Sequence, residues 1–144
     1  VASSISSKGE TYSGLRLLNV AHYQMFNAYS IIPLALFFIV CDLPWLYVTR
    51  NWTQKMFEKI QGGAPLRVRW EGVPIVYVAL AVLIQSARST GEAGVIGVAT
   101  YSIYEFTNYS TLANYDLQFA IADSLWGGAL FILVRTLGIY FNLL

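Results

Sequence analysis

Three carboxylates sit where carboxylates are scarce. Asp42, Glu105 and Asp123 each interrupt an apolar run, and an acid in such a setting can carry a proton, bind a cation or act as a general acid or base. Two of them share a local pattern. Asp42 precedes Trp45 in CDLPWL, and Asp123 precedes Trp126 in IADSLWGG, 81 positions further along. On a helix, a spacing of three puts acid and indole on one face. Glu105 has Tyr101 four residues before it and Asn108 three after it. The residues with chemistry to offer are therefore Asp42, Trp45, Glu105, Asn108, Asp123 and Trp126. Catalysis needs more than acids. The single cysteine, Cys41, excludes an intrachain disulfide, and the single histidine, His22, excludes a bis-histidine site made by this chain alone. No nucleophile–base pair, phosphate loop, dinucleotide fingerprint or CxxC pair is present. The residues assign no catalytic group and no metal, and the reading leans away from an enzyme.

The elements that must position these acids follow from composition. Of 144 residues, 56% are hydrophobic and 12% charged, about half the charged share of an ordinary soluble domain; mean hydropathy is +0.53. The net charge of +1 comes without a basic stripe, which leaves no case for nucleic acid as a partner. Apolar runs counted against the ~20 residues needed to cross a bilayer give an all-α, integral membrane four-helix bundle, with spans at about 29–49, 70–88, 93–108 and 117–141. Spans two and three are weak by hydropathy alone, yet two long spans would leave the middle apolar segments unexplained. The four-span domain covers 29–144. Residues 1–28 read as an N-terminal tail followed by a candidate interfacial helix. A start in small residues without methionine fits a processed chain, and fits a trimmed one equally.

Alternation of the spans brings the acids together. Asp42 lies late in span one, Glu105 late in span three, and Asp123 about two turns into span four, so all three fall at similar depth near one end of the bundle. That end also carries the basic segment 50–69, with Arg50, Lys55, Lys59, Arg67 and Arg69, which the positive-inside rule directs to cytoplasm, stroma or matrix. Two glycosylation sequons there, at Asn51 and Asn108, read as chance. Arg135 is twelve residues from Asp123, roughly 18 Å along a helix and too far to pair with it. Indole and phenol donors, shared protons, a cation or the loop arginines must then satisfy the acids. The plainer role for each single acid is bracing a helix end. Tyr47, Trp52 and Tyr115 fit an aromatic belt. Gly94, Gly97, Gly127 and Gly128 fit close helix packing. His22, Gln85 and Glu105 are the residues to contact a bound lipid or pigment; no cofactor is assigned.

The stretch YSIYEFTNYSTLANYDLQFAIADSLWGG carries a resemblance. It is similar to the signature of a small four-helix family of membrane proteins of unknown function, with members in bacteria, some algae and large DNA viruses. That family shows Tyr-Asp-Leu-Thr-Asn, matched here by Tyr104-Glu105-Phe106-Thr107-Asn108, then Ala-Thr-Leu, matched by Ser110-Thr111-Leu112. Its Asp-x-x-Trp-Gly falls on Asp123, Trp126 and Gly127, and its Asp-x-x-Trp-Leu on Asp42, Trp45 and Leu46. The resemblance covers about 29–141 and implies a four-span fold but no activity. The glutamate at 105 replaces an aspartate, one methylene shorter, which would disturb a metal cage more than a hydrogen-bond cluster.

Two functions are expected. One is a structural or accessory subunit of a larger membrane assembly, held by membrane lipids and other membrane subunits, in an organellar energy-transducing or photosynthetic complex or a viral inner membrane. The corresponding locations are the thylakoid or the mitochondrial inner membrane. The other is a small proton- or cation-coupled transporter or channel using the three carboxylates.

Overall fold

The computed structural model describes residues 27–144, and all of their regular structure is helical. The expected N-terminal tail, its interfacial helix and His22 lie outside the described residues. Four helices follow in up-down order: α1 (Ile31–Ile60), α2 (Val73–Ile84), α3 (Thr90–Thr111) and α4 (Leu117–Tyr140).

Local chemistry sets the boundaries. A short 3-10 turn, Ala28–Ser30, leads into α1, with the Asn27 side chain accepting from the Tyr29 amide at 3.0 Å. Pro74 stands in the first turn of α2, where its missing amide costs nothing. Ser89 caps α3 by accepting from the Glu92 amide, while the Glu92 carboxylate accepts from the Arg88 amide; the polar turn STGE is thus a reciprocal helix cap. Asp116 caps α4, accepting from the amides of Gln118 and Phe119.

The largest departure from the expected spans is in α1. Span one was expected to close near residue 49, with a loop over 51–69, yet the helix continues to Ile60. Thirty residues make a rod of about 45 Å, well beyond a ~30 Å hydrocarbon core. The extension persists because it has something to pack on. Met56 is buried with Tyr115, Phe119 and Ala120, flanked by Trp52, Phe57 and Ile60. Gly62 and Gly63, both at positive φ, then end the helix. Gly63 donates to the Glu58 carbonyl and Gly62 to that of Lys59, the αL closure that glycine permits. Span two is also shorter than expected: α2 stops at Ile84, where the amides of Gln85, Ser86 and Ala87 turn to three-residue bonds.

The main core is built from Leu34 and Phe38 of α1, Leu80 and Ile84 of α2, and Leu130, Phe131 and Val134 of α4. Helices α3 and α4 approach through glycine. A Cβ on Gly97 would lie 2.8 Å from both the Gly127 carbonyl carbon and the Phe131 Cβ. One on Gly128 would lie 2.6 Å from Val98 Cγ2, and one on Gly94 would lie 2.9 Å from Ile132 Cδ1. The four glycines thus line one backbone-to-backbone contact. Outward faces are apolar, with Ile32, Val40, Val48, Ile75, Val95 and Ile103 all exposed. Helices α1 and α4 are long and apolar enough to cross a membrane by themselves. The shorter α2 and the glycine-rich α3 complete the bundle against them.

Candidate functional site

The acids sit where α1, α3 and α4 meet, and their partners come from other helices. The Trp126 indole donates to Asp42 Oδ1 at 2.7 Å, and the Trp45 indole donates to Asp123 Oδ1 at 2.5 Å. Each Asp-x-x-Trp therefore bonds its counterpart rather than itself. The two indoles stack between these bonds, with centroids 5.2 Å apart and planes 9° from parallel. The crossing is what antiparallel helices require, since a step of three forward on α1 is matched by a step of three back on α4. The same register holds seven residues further on, where Trp52 of α1 donates to Asp116 of α4 at 3.0 Å. Indole–carboxylate bonds thus repeat along the α1–α4 seam.

Tyrosines complete the set. Tyr77 of α2 donates to Asp42 Oδ2 at 2.8 Å, so Asp42 receives a donor on each oxygen. Tyr115, in the α3–α4 connection, donates to Glu105 Oε2 at 2.8 Å. Glu105 is 1% exposed and Asp42 6%, so both depend on these donors in place of water. The carboxyl groups of Glu105 and Asp123 are close neighbours. Tyr101, whose ring packs against Gly127, neighbours all three acids. Among the described residues no three His, Cys, Asp or Glu side chains gather closely enough to hold a metal ion.

Outside the spans, the Trp52 indole holds the Asp116 carboxyl below the usual carboxylate range, helped by the Phe119 and Gln118 amides and by Lys59. Burial, with Glu105 beside it, pushes the Tyr115 phenol up.

The six residues singled out by spacing divide as follows. Asp42, Trp45, Asp123 and Trp126 form the crossed pair, and Glu105 joins it through Asp123. Asn108 meets the cluster through the Tyr115 hydroxyl, which donates to Glu105. Gln85 is at the other end of the bundle from Glu105, donating to the Ala81 carbonyl and accepting from the Asn27 amide. Tyr115, expected in the aromatic belt, is buried because its hydroxyl serves Glu105. Tyr77 was not singled out. Its signal was present, as a lone hydroxyl in the apolar helix VPIVYVALAVLI, where a buried phenol normally finds a partner.

These features define an α-helical membrane bundle whose first, third and last helices are joined by buried acids and their indole and phenol donors. Over residues 27–140 the chain matches the family described as Predicted membrane protein (DUF2177), and it belongs to that family. No curated protein and no solved structure matches it.

Proposed function

We propose that this chain is a structural or accessory subunit of a larger membrane assembly. The observation that carries the reading is the crossed indole–carboxylate pair. Together with the Tyr77 hydroxyl it occupies both oxygens of Asp42 and one of Asp123 with donors from other helices, so the acids fix helix positions. A rigid unit with apolar outward faces on every helix suits contact with lipid and with neighbouring subunits. The context is an organellar energy-transducing or photosynthetic complex, in thylakoid or mitochondrial inner membrane, or a viral inner membrane. The basic segment 50–69 then faces stroma, matrix or cytoplasm. Purification of the tagged native protein in mild detergent tests this directly. Partners should appear in stoichiometric amounts, and recovery of the chain quantitatively alone would remove the reading.

One observation favours a second reading, a proton- or cation-coupled transporter or channel. Glu105 and Asp123 are neighbouring carboxyl groups inside the bundle, and intramembrane acids can load and release a proton. Liposomes containing the protein should then move protons or a solute, and Asp123→Asn should abolish the flux. Flux indifferent to that substitution would exclude the acids from transport.

A further inference from the structure

At the end of the bundle opposite the acids, Arg135 of α4 is 4% exposed, yet its Nε and Nη1 have no hydrogen-bonding partner among the described residues. A charged guanidinium is among the costliest groups to bury bare. Among the described residues at that end, Gln85 and Glu92 are engaged elsewhere. Gln85 is bonded to the Ala81 carbonyl and the Asn27 amide. Glu92 accepts from the Arg88 amide and pairs with the Arg88 side chain at 4.0 Å. Helix register puts Arg135 three residues past Ile132, the residue against Gly94, and so level with the first turn of α3.

We propose that Arg135 binds the phosphate of a membrane phospholipid. Three observations direct the choice. Arg135 lies level with the first turn of α3 and five residues, about 7.5 Å along the axis, before the end of α4 at Tyr140, a depth from which a long guanidinium side chain can reach towards the headgroups. The planar fork of a guanidinium matches two oxygens of a phosphate. Ile132 and Ile139, three before and four after it, are 43% and 47% exposed and offer the acyl chains a face beside the charge. The site is independent of the acid cluster and of the subunit role.

The test uses the delipidated full chain in mixed micelles, with phosphatidylglycerol, a glycosyl diacylglycerol of the same acyl chains, or inorganic phosphate added. Native mass spectrometry counts bound lipid, and thermal unfolding reads the stabilisation. Phosphatidylglycerol should be retained and should raise Tm, while the phosphate-free glycolipid should do neither. Arg135→Gln should weaken retention at least ~tenfold, the scale of one lost charge-assisted contact. Arg135→Lys keeps the charge and loses the fork; it should retain lipid at an intermediate level, and it carries the comparison if the glutamine variant does not fold. Equal retention by wild type and either variant, or equal retention of both lipids, would overturn the proposal. Inorganic phosphate producing the whole Tm shift would overturn the lipid assignment and leave a soluble phosphate as the ligand.

Discussion

Trp45 and Trp126 lie face to face, and each hands its indole proton to the aspartate of the other's motif. The stack and the two bonds constrain one another, because either indole can turn only by leaving its carboxylate. Trp45→Phe keeps a ring for stacking and removes the donor, and should destabilise by about 1–3 kcal/mol. A double-mutant cycle of Trp45→Phe with Asp123→Asn, read by unfolding in mixed detergent micelles, should return a coupling of about 0.5–2 kcal/mol. Strictly additive effects would mean that the bond does not operate in the folded protein.

Glycine contacts along α3 and α4 give a second expectation. Gly97→Ala places a methyl against the Gly127 backbone, which cannot swing aside as a side chain can. A loss of about 1–3 kcal/mol or more is expected from the forced separation. Gly91→Ala is the matched control on the same helix, since its Cβ would meet only Ser89 Oγ at 4.0 Å. It should be neutral or slightly stabilising, and equal losses at the two positions would contradict the close approach.

The extension of α1 should depend on Met56. Met56→Ala empties the centre of the small core under Tyr115 and Phe119 and should cost about 2–5 kcal/mol locally. Hydrogen exchange should rise over 51–60 and in the 112–116 connection, with little change around Phe38 and Phe131. Unchanged protection of 51–60 would show that the extension holds without the contact.

Acid should loosen the same region through Asp116. Its carboxyl is held below the ordinary value of 3.8 when folded, so it contributes stability above its unfolded pKa. That contribution is lost as pH falls through the folded value. Asp116→Asn should keep the helix cap, because asparagine caps well, and should flatten the pH dependence of unfolding below about pH 4. A variant that follows the wild-type acid profile would move the effect to another group.

Much of this was legible in residue order. Apolar run lengths gave four helices, and simple alternation placed Asp42, Glu105 and Asp123 at one depth. The crossing of the two motifs was not legible. A spacing of three puts Asp42 and Trp45 on one face, but only the antiparallel register of α1 and α4 decides that each indole serves the opposite acid. The length of α1 was hidden for a related reason. Residues 51–60 are polar and charged in large part, and the contact that keeps them helical comes from Tyr115 and Phe119, far along the chain. Arg135 could be seen to lie beyond reach of Asp123. Its burial follows from register, because Arg135 stands seven residues, about two turns, past Gly128 on the packed face of α4.

The order in which partners are made bears on biogenesis. Tyr77 follows Asp42 by 35 residues, whereas Trp126 follows it by 84. At ribosomal rates of about 5–20 residues per second, Asp42 would wait roughly 4–17 s for its indole. During that interval the nascent chain holds an incompletely satisfied acid. Only insertion of the last helix closes the lock, so a chain truncated before α4 keeps the Tyr77 donor on Asp42 and lacks the Trp126 one.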